Sequence, residues 1–395
     1  MSSIDAWILP DGIEELHQSE AVRLEFIRRE VLDLFSSWGY RLVTPPLIEF
    51  IEPLLSGSGS ELDLKTFKFV DQSSGRMLGI RADITPQVAR IDARTQNSNL
   101  PARLCYVGTV LHTFSDNLSR CREPLQVGAE LYGHAGIHSD VEVIKLMLAM
   151  LKVAGLGDIH LDIGHVGVFR GLVDQANLHV QQEKELFEIL QRKATPELEN
   201  FLFENVEDDA VAEMIGLLPE LNGDFGILQV AKESLANAPS EVLAALASIV
   251  EISQSLREVL PSLSIHFDLA ELRGYHYQTG IVFAAFTPGF GKEVARGGRY
   301  DEIGKVFGQA RPATGFSADL KLISKLSWDD QKIRQEIIFS PVCDDQQLKE
   351  LVDHLRKSGK IVINDLPGHS LTPKELGCSH EMSRVGDAWI VMPLA

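Results

Sequence analysis

The chain has 395 residues, 45% of them hydrophobic, and a formal net charge of −19. That is enough for one large core with one or two smaller units, and the acidic balance argues against nucleic acid as the main partner, because no run of lysine or arginine gathers a basic face. Four scattered cysteines without a C-x-x-C pair argue against a zinc site and fit a reducing cytoplasm, and the absence of a leader pattern or an unbroken apolar span argues against membrane insertion.

Taken in chain order, residues 20–36 predict an amphipathic helix, with Leu24, Ile27, Val31, Leu34 and Phe35 on one face and Gly39 as its stop. Residues 40–49 are extended, because Pro45 and Pro46 block a helix. Two strands, 66–70 and 77–81, flank a turn-rich segment. Thr85 and Pro86 read as an N-cap and a first helical residue, with the helix reaching about Arg94. Strands are expected at about 102–114 and 125–132, a buried helix at about 140–153 and a strand at 159–164. The pattern from 170 to 260 is helical. Strands return at 264–270 and 278–286, followed by a glycine-rich stretch in which Arg296–Tyr300 reads either as a tight turn or as a ligand-facing segment. The last 60 or so residues read as strand, helix, strand, strand (337–342, 346–357, 361–365, 389–392).

This order suits an α+β fold, an antiparallel sheet flanked by helices, rather than a doubly wound parallel sheet. The expected organisation is a core in two parts, 1–170 and 261–328, a helical insertion at 171–260 and a small α/β unit at 336–395. On the second long strand, Gln126 and Glu130 lie on the same side as Gly128.

Four segments together resemble class II histidyl-tRNA synthetases. Tyr40–Glu49 is similar to their motif 1, the dimer-forming strand. Arg81–Pro86 with the stretch from Gly108 to Gly133 is similar to motif 2. Leu272–Tyr277 resembles the histidine-specific segment, and Arg296–Asp301 with Ala313–Phe316 resembles the lead-in to motif 3. The resemblance implies that Asp83, Thr85, Gln126, Glu130, Arg273, Tyr275 and Tyr277 line a relic histidine pocket. It also marks departures. The family grips ATP with a motif 2 arginine, a glutamate two residues later and a motif 3 arginine; these positions read His112, Phe114 and Leu322. Only a fixed, always-charged fork suits the charge that develops on the α-phosphate, and loss of one such donor costs on the order of 2.7–4 kcal/mol of transition-state stabilisation.

A synthetase frame without its ATP grips, and with a short C-terminal unit, resembles one paralogue group, the regulatory subunits of short-form ATP phosphoribosyltransferase. That resemblance implies a non-catalytic chain with no cofactor and no metal. Its partners would be a short catalytic subunit, a second copy of itself through the motif 1 region, and histidine as effector. An active histidyl-tRNA synthetase, motivated by Arg81 and Arg273, and a free-standing histidine sensor are the alternatives.

Overall fold

A computed structural model describes residues 8–394 apart from 57–59, 95–99, 116–120, 272–274, 276, 309, 328–335, 367 and 369–370. These residues fall into two compact units that divide between 328 and 329.

In the first unit, helix α1 (Gln18–Ser37) buries Ile27, Val31 and Phe35 and ends ahead of Gly39, whose φ of +81° suits glycine. After it come β1 (Arg41–Leu42), β2 (Ile48–Phe50), the short helices α2 (Ile51–Leu55) and α3 (Ser60–Lys65), and the hairpin β3 (Phe67–Val70) and β4 (Met77–Ile80). Helix α4 (Thr85–Arg94) leads to the long pair β5 (Ala102–Thr109) and β6 (Leu125–Tyr132), then to α5 (Ile137–Val153) and β7 (His160–His165). A helical layer follows: α6 (Val166–Gln175), α7 (Val180–Gln191), α8 (Thr195–Asn205), α9 (Asp209–Leu217), the two-residue β8 (Asn222–Gly223), α10 (Ile227–Ser234) and α11 (Ser240–Val259). Then β9 (Ser264–Asp268), β10 (Ile281–Phe286), β11 (Glu293–Arg299), β12 (Ala313–Asp319) and α12 (Leu320–Leu326) complete the unit.

Nine strands form one sheet in the order β1-β5-β6-β12-β11-β10-β7-β9-β8, antiparallel except for β1·β5 and β7·β9. A second sheet, β2-β4-β3, is separate. One hydrophobic core runs from α1 through α5 and one face of the large sheet to α6, α7 and α11. Helix α5 alone contributes Val143, Ile144, Leu146, Met147, Met150 and Leu151, all fully buried, at about 1.5–3 kcal/mol each as an upper estimate. On the other face Ile84, just ahead of α4, and Val88 and Ala89 within it pack against Tyr106, Tyr132 and Tyr300.

Three local expectations are corrected. Thr85 is inside α4 rather than capping it: the Asp83 carboxylate accepts the Thr85 N–H at 3.0 Å, which leaves the Thr85 hydroxyl to another partner. The strand expected to reach residue 114 ends at Thr109, where the chain leaves the sheet. Arg296–Arg299 is strand, paired on both sides, and not a turn.

The stretch expected to be extended is clamped to α4. Arg81 donates to the carbonyls of Thr109 (2.9 Å) and Pro45 (2.8 Å), Gln87 donates to the Pro46 carbonyl and to Glu49 (both 2.9 Å), and Arg90 forms a buried fork with Glu49. Arg81 thus spends its Nε and Nη1 on backbone carbonyls.

The start of α6 carries a pH-sensitive cap. The Nδ1 of His165 accepts the Gly167 N–H at 3.0 Å, and burial, with Arg299 and Arg170 nearby, lowers the imidazole to about 4. The unfolded chain therefore takes up this proton first as pH falls. The stabilisation is complete above about 6.5 and is lost toward 4, at most about 3 kcal/mol. Urea midpoints at pH 7 and pH 4.5 check this: His165→Asn, which keeps a capping acceptor without titrating, is expected to lose less stability on acidification than the wild type.

The second unit is built from β13 (Ile337–Ser340), α13 (Gln346–Lys357), β14 (Ile361–Asn364), β15 (His380–Val385) and β16 (Ala388–Pro393), in the sheet order β14-β13-β15-β16. Its core is Ile338, Leu348, Val352, Val362 and Met382. Strand β15 is an addition to the sequence reading. No helix among the described residues is long and apolar enough to cross a membrane.

Candidate functional site

A cavity of about 320 Å³ lies on the face of the large sheet opposite the main core. Register builds its floor. Glu130 on β6 pairs with Gly315 on β12, which pairs with Gly298 on β11; one step along, Gly128 pairs with Ser317, which pairs with Arg296. Since alternate residues share a face, this face carries glycine at 128, 298 and 315, where the side chains of Tyr106, Gln278 and Glu130 lie across the backbone. A Cβ on Gly315 would overlap the Glu130 carboxylate, and one on Gly298 would stand 2.5 Å from the Gln278 Oε1.

The deep end is a hydrogen-bonded chain. Gln126 donates to Asp83 at 2.7 Å and accepts the Ile84 N–H at 2.9 Å. The Glu130 carboxylate, 1% exposed, accepts from the hydroxyls of Thr85 and Tyr106 (both 3.1 Å) and from Tyr300. Burial, reinforced by the charge of Asp83, holds the Glu130 carboxyl well above the ordinary range. Toward the mouth stand Lys65, Arg296 and, at the cap of α12, Asp319, whose carboxylate accepts the N–H groups of Lys321 (3.0 Å) and Leu125 (3.2 Å). The wall also carries the carboxylates of Asp162, Glu271 and Glu293, so the lining as a whole favours a ligand with an ammonium, and Lys65 and Arg296 are the places where a carboxylate would be met.

Of the residues expected here, Asp83, Thr85, Gln126, Glu130 and Tyr277 line the cavity. Tyr275 does not. It is 5% exposed, stacks edge-to-face on Phe169 of α6 and donates to Glu183 of α7, so its side chain belongs to the helical layer. Arg273 lies outside the described residues. His112 and Leu322 line the cavity, whereas Phe114 is half exposed and does not, since the strand has ended before it. The His112 Nε2 sits 3.0 Å from the Ala82 carbonyl, which can only accept, so the proton is on Nε2; burial holds the imidazole below its ordinary value. Lys321, next to Leu322, pairs with Glu123 at 3.4 Å.

Sequence reasoning missed Tyr106, Tyr300, Gln278 and the glycine floor. A signal existed for two of them: Tyr106 is two residues before Gly108 on a strand that pairs with Gln126–Glu130, and Gly298 and Gly315 recur on neighbouring strands. Among the described residues no cluster of His, Cys, Asp or Glu is arranged to hold a metal ion.

A nine-stranded, largely antiparallel sheet with helices on one face and this polar cavity on the other defines a histidyl-tRNA synthetase-like core of the class II type. Residues 12–323 match the histidyl-tRNA synthetase family, and residues 335–392 match the ATP phosphoribosyltransferase subunit HisZ C-terminal domain. A solved structure from Bacillus halodurans, an ATP phosphoribosyltransferase regulatory subunit/histidyl-tRNA synthetase, superposes with a TM-score of 0.80 at 26% identity over 94% of this chain and 96% of that one. The Nostoc histidyl-tRNA synthetase shares the fold, with a TM-score of 0.74 at 18% identity over 96% of this chain and 92% of that one.

Regulatory subunits of ATP phosphoribosyltransferase match over the full length. That of Methylococcus capsulatus is 54% identical, covering 99% of this chain and 97% of the relative. That of Pseudomonas syringae pv. syringae is 50% identical, covering 100% of both. The chain belongs to the ATP phosphoribosyltransferase regulatory subunit family.

Proposed function

We propose that this chain is a non-catalytic subunit that assembles with a short ATP phosphoribosyltransferase catalytic subunit, activates it, and conveys feedback from histidine at the first step of histidine biosynthesis. Full-length similarity to regulatory subunits supports the role. The observation that carries the non-catalytic part is position 112. A neutral imidazole turned to the Ala82 carbonyl offers no charged fork to a phosphate, and apolar Leu322 stands at the second grip. Lys65 and Arg296 remain in the wall and engage other groups of the protein. Their charge complements a carboxylate, while Asp83 complements an ammonium and Glu130, whose carboxyl burial holds well above the ordinary range, offers it a hydrogen-bond acceptor, so the reading places histidine in the relic pocket with Asp83, Thr85, Gln126, Glu130, Tyr277 and Arg273 as its surroundings.

Self-association through the motif 1 region is part of the same reading. Strand β1 is an edge of the large sheet, and Leu42, Leu47 and Ile48 beside it are exposed.

The test is phosphoribosyltransferase activity of a short catalytic subunit with and without this chain, then with histidine, alongside histidine-dependent ATP–pyrophosphate exchange by the chain alone. Stimulation reversed by histidine is expected, with no exchange. On a sizing column the chain alone is expected as a dimer that co-elutes with the catalytic subunit. Exchange by the chain alone would overturn the non-catalytic reading, and Glu130→Ala that leaves histidine inhibition intact would remove the effector from this pocket.

A further inference from the structure

The described residues of the connection between β9 and β10 face two ways. Tyr277 and Gln278 line the cavity. Tyr275, two residues earlier, is locked in the helical layer. Its ring meets Phe169 of α6 edge-to-face at 5.1 Å and Phe187 of α7 at 5.6 Å, and its hydroxyl donates to the Glu183 carboxylate of α7 at 2.5 Å. Arg170 of α6 ties the two sides together. Its guanidinium lies over the Tyr275 ring at 5.1 Å, and its Nη2 donates to the backbone carbonyls of Gln278 (3.2 Å) and Tyr275 (3.4 Å).

We propose that Tyr275, held by Glu183 and Arg170, is the coupling residue that carries occupancy of the cavity to helices α6 and α7, and so to the assembled catalytic subunit. The inference rests on the histidine-feedback reading and specifies its route. A ligand that contacts Tyr277 or Gln278 favours one position of this short segment. Because Arg170 grips the Gln278 carbonyl, a displacement there works directly on α6, and because Tyr275 is wedged between two helices, the packed layer switches position rather than yielding gradually. A tyrosine needed only to fill the core could be phenylalanine. Its hydroxyl instead reaches a carboxylate on a second helix, which fixes α7 to the segment.

The experiment uses the full regulatory chain, alone and in complex with a short catalytic subunit, as wild type, Tyr275→Phe, Glu183→Ala and Glu183→Gln. Histidine affinity is measured by titration calorimetry in both states, together with histidine inhibition of the complex and thermal melts. In the wild type, coupling makes the two affinities differ by about fivefold or more. In Tyr275→Phe and Glu183→Ala that ratio is expected to fall to within about twofold of one, with loss of inhibition, while the isolated chain binds histidine within about threefold of wild type and stimulation is unchanged. Glu183→Gln keeps an acceptor for the hydroxyl and is expected to retain coupling. A wild-type ratio and inhibition in Tyr275→Phe would refute the proposal, as would loss of affinity in the isolated variant, which would make Tyr275 a support of the pocket. A wild-type complex that binds histidine nowhere and is insensitive to it overturns the feedback reading itself, a different result from an inhibited wild type with an equally inhibited variant.

Discussion

Arg299→Leu is expected to lower the unfolding free energy by about 3–5 kcal/mol, read as a fall in the urea midpoint at an unchanged slope. Arg299 ends β11 with 7% exposure and spends its donors on the segment from His134 to Asp140 and on Asp301, two residues further on. It donates to Asp140 (2.9 and 3.2 Å), to the Ser139 hydroxyl (2.8 Å), to the carbonyls of His134 (3.2 Å) and Gly136 (3.3 Å), and to Asp301 (3.1 Å). The segment from His134 to Asp140 runs into α5, a helix deeply buried in the core. Burial raises the Asp140 carboxyl and Arg299 pulls against it, so leucine leaves a carboxylate and two carbonyls buried without their donor. The double variant Arg299→Leu, Asp140→Leu removes the stranded charge and is expected to be more stable than Arg299→Leu alone, because desolvating an ion pair offsets much of its attraction. A single-variant loss under about 1 kcal/mol would show that water enters the loop and that the pair is not needed.

This arginine also shows where sequence reading stops. Leu24, Ile27, Val31 and Phe35 disclose α1 because a helical period carries its own signal, and the two-residue period of β6 places Gln126, Gly128 and Glu130 on one face for the same reason. Arg299 carries no such signal, since its partners at the start of α5 lie about 160 residues away and only the fold brings them together. The glycines of β11 misled in a more specific way. Glycine weakens a strand, so Arg296–Tyr300 reads readily as a turn, yet here Gly298 is required because a Cβ would stand 2.5 Å from the Gln278 Oε1 and 2.6 Å from the Ile281 carbonyl. Thr85 has the chemistry of a cap, but Asp83 takes that role and Glu130 claims the hydroxyl. Tyr275 and Tyr277 sit in an irregular connection, where no period says which of the two faces the helices. The family resemblance set both in the pocket, and packing against Phe169 and Phe187 separated them.

Gly315→Ala is expected to weaken histidine binding by about a hundredfold or more while leaving the chain folded, on the proposal that this cavity is the effector site. Gly315 lies directly across from Glu130 in the sheet, and the carboxylate rests where a side chain at 315 would be. The Tyr300 hydroxyl is the next nearest atom, at 2.5 Å from the added Cβ. Glu130 has little freedom to retreat, because Thr85 and Tyr106 fix one of its oxygens and Tyr300 fixes the other. A methyl group must therefore push the carboxylate toward the cavity and break at least one of these bonds. An unsatisfied buried hydroxyl costs about 1–3 kcal/mol, which is tolerable for a core of this size, whereas misplacing the group that faces a ligand ammonium removes the interaction that this reading assigns to the deep end. Calorimetric titration of histidine into Gly315→Ala, with thermal melts to confirm folding, measures both sides of this. Gly157→Ala is the control, since a Cβ there meets nothing within 4 Å. Full affinity in Gly315→Ala would mean that histidine is read elsewhere, and an inhibited complex containing that variant would move the search to the surface shared with the catalytic subunit.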